Sequence, residues 1–216
     1  MTTPDFQVLS ARERHAAPWK NGGGVTHEVA VSPTGAGLDD FDWRVSLAEV
    51  AADGPFSNFA GVDRGMLVLR GCLALQIGRE APRVLRAGMP PVYFDGAAPV
   101  QVAVLEGPAI DLNVMTRRGC WTARLVAATE ACQGDDPGRR APECSLLMLD
   151  APFASVALGT VRRTLRQDDA IVVSGAARSA ALAGLHGSFE FHRVDLWRCV
   201  AGSAARQPLR GDSWPC

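Results

Sequence analysis

Long apolar runs are missing from this 216-residue chain, and the longest falls well short of a membrane span. An excess of positive charge is missing as well. The formal net charge is −1, so the sequence carries no electrostatic footprint for nucleic acid or an anionic membrane surface. The opening residues Met1-Thr2-Thr3-Pro4-Asp5 have neither the basic nor the apolar region of a signal peptide, and the expected compartment is the cytoplasm. Six cysteines (Cys72, Cys120, Cys132, Cys144, Cys199 and Cys216) include no C-x-x-C pair and no adjacent histidine. That argues against a zinc site and against a disulfide framework; reduced, mostly structural thiols are expected, with Cys216 exposed. The four histidines, His15, His27, His186 and His192, do not pair at a spacing that suits a metal on one strand, and are read as structural or exposed. A Gly-x-Ser-x-Gly elbow is absent, and so is a phosphate-binding glycine loop followed by Lys-Ser/Thr.

Helix-period runs are also scarce. Hydrophobic residues make up 47% of the chain and charged residues 21%, ordinary values for a folded protein. Short alternating or apolar runs, separated by Gly, Pro and Asp, point to an all-β sandwich or barrel. Strands are expected near Phe6–Leu9, Val25–Val31, Trp43–Val50, Gly65–Leu69, Cys72–Ile77, Pro91–Phe94, Val100–Leu105 and Ile110–Met115. A second series is expected near Ala123–Ala127, Leu146–Leu149, Ser155–Leu158, Ala170–Val173 and Phe189–Val194. The polar stretch Glu130–Glu143 reads as a mobile connector. It divides the chain into a first half over 1–129, the connector over 130–143 and a smaller second half over 144–216. Ser174–Gly184 reads as a loop or a short helix.

The densest chemistry lies in Pro18-Trp19-Lys20-Asn21-Gly22-Gly23-Gly24-Val25-Thr26-His27-Glu28. Three consecutive glycines are entropically costly, and imply a positive φ or a close approach to the backbone. The run lacks the strand-before, helix-after context of a dinucleotide site. Period-two alternation puts Thr26 and Glu28 on one strand face and His27 on the other. In Trp43–Val50 the same rule sends Trp43, Val45 and Leu47 toward the core, and Arg44, Ser46 and the small Ala48 toward a polar cavity. Asp111 and Asn113 share a face with Met115. Acidic and amide side chains are disfavoured inside a strand and need partners, or else an edge facing solvent. In Gly54–Arg64, Phe56 and Phe59 are expected to anchor a turn-rich segment. Asp63 and Arg64 either pair with each other or leave Arg64 facing the cavity; a structural role is the weightier reading for both.

Four segments, PWKNGGGVTHE (18–28), DWRVSLAEV (42–50), GPFSNFAGVDR (54–64) and DLNVMTRRG (111–119), together resemble the HutD/Ves family. As an ordered set over roughly the first 120 residues they are specific, whereas the second half matches weakly. The resemblance implies a cupin-like double β-barrel in one chain. It also implies an association with histidine utilisation, in which such proteins bind a pathway intermediate and restrain expression. Carried over to this sequence, the polar lining of the ligand pocket is Lys20, Asn21, Thr26, Glu28, Arg44, Ser46, Asp111 and Asn113, together with Arg64. The common cupin metal motif is absent, so no metal and no cofactor are expected.

Two functions follow from these residues. The first is a binding protein for a small anionic metabolite, formylglutamate or a related histidine-degradation intermediate, with Lys20 and Arg44 on its carboxylates. The second is a metal-independent enzyme of the isomerase, hydrolase or lyase type, with Lys20, Glu28 and Asp111 as acid and base. A purely structural or protein-partner module fits the polar strand faces least. The expected partner is the small metabolite, with no nucleic acid and no membrane, and with room for a homodimer.

Overall fold

Alternating residues broken by turn formers favour strands over helices, and the computed structural model has fifteen strands among its described residues, 6–19, 22–127, 140–158, 161–175, 178, 182 and 190–200. They are β1 (Phe6–Leu9), β2 (Ala16–Pro18), β3 (Gly24–Ser32), β4 (Trp43–Val50), β5 (Gly54–Pro55), β6 (Val62–Ile77), β7 (Arg83–Arg86), β8 (Val92–Asp95), β9 (Val100–Arg117) and β10 (Trp121–Val126), followed by β11 (Cys144–Leu149), β12 (Phe153–Leu158), β13 (Val161–Arg166), β14 (Ala170–Ser174) and β15 (Phe191–Arg198). No helix among the described residues is long and apolar enough to cross a membrane. The chain divides into two compact units. His15–Ala123 forms the body of one, and the segment ending at Arg14 joins Arg124–Arg198 in the other.

In the His15–Ala123 unit, an eight-stranded antiparallel sheet runs β2-β3-β4-β9-β6-β7, with β5 added on β9 and β8 on β6. Two long strands organise it. The sequence breaks at Arg70-Gly71 and at Glu106–Pro108 suggest four short strands, but the chain runs through both breaks as the 16-residue β6 and the 18-residue β9. Their pairing slips between Val68 and Leu73 instead of ending. Gly71 makes this possible: its φ is 79°, and a Cβ there would lie 2.7 Å from the Glu106 carbonyl oxygen. One end of β6 then pairs with β8 (Asp63–Met66) and the other with β7 (Cys72–Leu75).

The expected closed barrels are not what the pairing shows. Among the described residues the path from β2 to β7 stays open, because curvature comes from bulged long strands rather than from pairing the last strand with the first. Along the inward side of this sheet, Met66, Val68, Leu73, Leu75, Phe94, Val100 and Val102 form an apolar cluster, against which Trp19 and Phe56 pack.

The second unit has a five-stranded sheet, β1-β14-β11-β15-β10, and a β12–β13 hairpin. Here the boundaries drawn from the sequence need correction. β1 does not belong to the first half: Phe6 to Leu9 pair with Val173 to Ala170 of β14. Its alternate residues Phe6 and Val8 pack on the cluster of Leu147, Leu149, Ile171, Val173 and Phe191, which an isolated four-residue strand could not supply. Most of the expected connector lies outside the described residues, as does most of Ser174–Gly184. The described part, Arg140–Glu143, is tied down rather than loose. Glu143 pairs with Arg140 and accepts from the Arg198 N–H at 3.0 Å, and the Trp197 indole donates to the Arg140 carbonyl at 2.8 Å.

Candidate functional site

The glycine run opens the site. Gly22 has a φ of 71°, the left-handed region that glycine enters at little cost. Gly24 is held by close approach instead: a Cβ there would sit 2.3 Å from the Glu49 carbonyl oxygen and 3.2 Å from the Trp19 ring. The chain therefore turns tightly from β2 into β3, with the Trp19 N–H donating to the Gly24 carbonyl at 2.9 Å. This holds the indole over the sheet, where its Nε1–H donates to Thr26 Oγ1 at 2.8 Å and its ring meets Phe56 edge-on at 5.8 Å. Lys20 and Asn21 lie outside the described residues.

Strand register then builds the polar face. Residues directly opposite in antiparallel strands share a face, so three rows cross β4, β9 and β6, and the first two extend onto β3. Thr26, Ala48, Asp111 and Val68 form one; Glu28, Ser46, Asn113 and Met66 form the next; Arg44, Met115 and Arg64 form the third. The polar residues expected on alternate positions of three separate segments thus share one side of a continuous sheet. Beyond Glu28, a one-residue bulge at Val29 shifts the β3 register. Because β9 is flanked by β4 and β6, Asp111 and Asn113 are not on an edge facing solvent.

Over this face lies a cavity of about 520 Å³, within the range of small-molecule sites. Its polar lining includes Thr26, Arg44, Ser46, Arg64 and Asn113; its apolar wall is Trp19, Phe56, Phe59 and Met115. Arg44 and Arg64 approach from opposite sides of Met115, since each is that residue's cross-strand partner. Arg44 is mostly buried and pairs with Glu28 (Nη2 to Oε2, 3.1 Å), so Glu28 acts at the flank of the cavity, through Arg44. The Arg44 Nε has no hydrogen-bond partner.

Arg64 is only 7% exposed. Its guanidinium lies 5.1–5.7 Å from the ring centres of Phe56, Phe59 and Phe94, and donates to Asn113 Oδ1 at 3.0 Å and to the Ser57 carbonyl at 3.3 Å. Burial lowers its pKa to about 10, opposed by Asp111, and it remains a cation at neutral pH. Asp63 is not its partner; Asp63 pairs with Arg118 at 2.8 Å.

Asp111 departs most from expectation. It is fully buried, in the row next to Asn113 on the same sheet face, and does not line the cavity. Asn113 Nδ2 donates to its Oδ1, while its Oδ2 has no partner. Burial pushes its pKa up to about 7, with Arg64 and Asn113 pulling the other way. The chain Asp111–Asn113–Arg64 fixes the amide so that its oxygen faces the guanidinium. Arg64 itself was the ambiguous residue in the sequence, and the converging Phe56, Phe59 and Phe94 rings resolve it.

The second unit holds a separate buried ionic group that no motif announces. Arg178 donates to Ser145 Oγ (2.6 Å) and to Asp195 Oδ1 (3.2 Å), Ser145 also donates to Asp195, and Arg193 Nε lies 3.1 Å from Asp195 Oδ2. Ser145 and Asp195 are cross-strand partners, but Arg178 comes from a distant segment, and nothing local signals the meeting. His192 is buried beside Asp150 at 3.0 Å, as a structural histidine.

Fold and site define an all-β protein whose curved sheet carries two buried arginines at the wall of a part-aromatic cavity. Comparison with known proteins gives the class a name. The family model described as HutD matches residues 11–188, and this chain belongs to that family. It is 36% identical over 128 residues to the uncharacterized 21.2 kDa protein in hutC 3'region of Pseudomonas putida, a match covering 56% of this chain and 63% of that protein. It is likewise 36% identical over 124 residues to Protein Ves of Citrobacter koseri, covering 57% of this chain and 64% of the relative. The match therefore spans less than two thirds of these curated relatives. Among solved structures it is similar to HutD from Pseudomonas fluorescens SBW25 in a formate condition, with a TM-score of 0.69, 26% identity, and coverage of 89% of this chain and 98% of the other.

Proposed function

We propose that this protein binds a small anionic metabolite in the His15–Ala123 unit and has a regulatory role in histidine utilisation. One observation carries the reading: Arg44 and Arg64, both largely buried, face one cavity of about 520 Å³ from either side of Met115. A buried cation without a carboxylate in contact is costly, and Arg64 is held by a neutral amide, a carbonyl and aromatic rings rather than by an acid. An anion entering the cavity supplies the missing charge. Two planar forks suit an acid with carboxylates at both ends, such as formylglutamate or a related histidine-degradation intermediate. Ser46, Thr26 and Asn113 orient its other polar groups, and Lys20 and Asn21, next in chain to Trp19, complete the proposed lining. The HutD membership and the hutC-region relative support the pathway. The same reading takes the two units as cupin-like halves of one cytoplasmic protein.

A metal-independent enzyme acting on a small carboxylate is the second reading. It is favoured by the Asp111 carboxyl, raised to about 7 and hydrogen-bonded to Asn113 at the cavity wall. The test is calorimetric titration with histidine-pathway intermediates, followed by product analysis of the mixture. Binding without turnover is expected. Arg44→Met and Arg64→Lys should each weaken binding by roughly 10- to 100-fold, the loss of a charge-assisted contact of about 1.5–3 kcal/mol. Unchanged affinity in both folded variants would place the site elsewhere, and product formation would favour the enzyme.

A further inference from the structure

Two of the cysteines meet. β10 and β15 are neighbours in the five-stranded sheet, and just past the end of their ladder the Cys199 N–H donates to the Cys120 carbonyl at 2.8 Å. Cys120 precedes β10 and Cys199 follows β15, so the two strands run antiparallel and this bond continues their pairing. In such a ladder, a backbone hydrogen bond joins residues that stand opposite each other, with side chains on the same face. Adding the backbone bond lengths to the 2.8 Å bond, with the roughly 120° angle at the carbonyl carbon, caps the separation of the two Cα atoms at about 6.7 Å. Disulfides form over a Cα separation of about 4.4–6.8 Å. Both thiols are reduced; Cys120 is exposed and Cys199 half-buried, whereas Cys72 and Cys144 are buried.

We infer that Cys120 and Cys199 form a reversible disulfide when the protein meets hydrogen peroxide. The Cys120 thiolate, the more exposed of the two, attacks the O–O bond. An S–O bond forms, hydroxide leaves and takes up a proton as water, and Cys120 becomes a sulfenic acid. The Cys199 thiolate then attacks that sulfur, the S–S bond forms, the S–O bond breaks and a second water departs. Two thiols and one peroxide yield one disulfide and two waters; the sulfurs lose the two electrons that the peroxide gains. A disulfide at an exposed sheet end is the labile kind that thiol reductants reopen, as a sensing role in a reducing compartment requires.

The full-length protein decides this. It is treated with hydrogen peroxide, blocked with N-ethylmaleimide and digested with trypsin without reductant. Cleavage after Arg118, Arg124, Arg198 and Arg206 places Cys120 on Gly119–Arg124 and Cys199 on Cys199–Arg206. The expected product is these two peptides joined, with the thiol titre falling by two, reversal by dithiothreitol, and no joined peptide from Cys120→Ser or Cys199→Ser. Both cysteines alkylated after peroxide, Cys120 oxidised without a partner, or Cys120 joined to another cysteine or a second copy would each overturn the inference.

Discussion

Replacing Asp111 with asparagine should remove a slope from the pH dependence of stability. The folded carboxyl holds its proton up to about pH 7, whereas the ordinary value is 3.8. Between those values the folded state binds more protons than the unfolded state, so stability falls as pH rises, by about 1.4 kcal/mol per pH unit. The favourable contribution is fully present below pH 3.8 and lost as pH passes through about 7. The whole window is worth roughly 4 kcal/mol, and the part between pH 5 and pH 8 about 2–3 kcal/mol. The asparagine side chain has the same shape and still accepts from Asn113 Nδ2, but it does not titrate. Urea denaturation of the unliganded wild type and Asp111→Asn, at pH 5 to 8 in half-unit steps, measures the difference. The variant should gain on the wild type steadily up to about pH 7, after which the gap stays constant. Every other ionisable group is common to both proteins and cancels in the difference. Below about pH 7 the Asp111 carboxyl is neutral, so Arg64 loses no charged partner there, and above it their attraction is already contained in the raised pKa. A difference that stays flat from pH 5 to pH 8 would refute the assignment of a buried, proton-holding carboxyl at Asp111.

Two further outcomes follow from the geometry. Glu28→Gln should tighten anion binding roughly two- to fivefold, because a part-exposed ion pair worth about 0.3–1 kcal/mol no longer competes for Arg44; weaker binding by calorimetry would mean that Glu28 contacts the ligand itself. Gly71→Ala should cost about 1–3 kcal/mol, since it combines a φ of 79° with a contact at 2.7 Å to the Glu106 carbonyl, and a thermal melt unchanged within a degree would contradict the bent-strand account of β6 and β9.

Much of the polar face was legible because alternation is a local property. The sides of Arg44, Ser46 and Ala48, of Thr26 and Glu28, and of Asn113 and Met115 follow from counting by two, and register turned those separate faces into one. What could not be read depended on distant partners. Gly71 and Pro108 look like strand ends, yet both lie inside long strands, where the β6–β9 register shifts and the pair bends. The partner of β1 lies near the other end of the chain, so its membership in the second unit has no local mark. The depth of Asp111 and the aromatic surroundings of Arg64 depend on how far the sheet curls, which no single segment encodes.

The row Arg44–Met115–Arg64 works as a gauge. Its two arginine roots stand on the outer strands of a hydrogen-bonded trio, so their separation is two strand spacings, about 10 Å, whatever the side chains around them. Small changes in packing cannot stretch that interval. Moving either arginine to the next inward position along its strand displaces it by two residues, about 7 Å, and any step between would turn it to the opposite face. The interval between the two cations on this wall can therefore change only in jumps, from one rung of the sheet to the next.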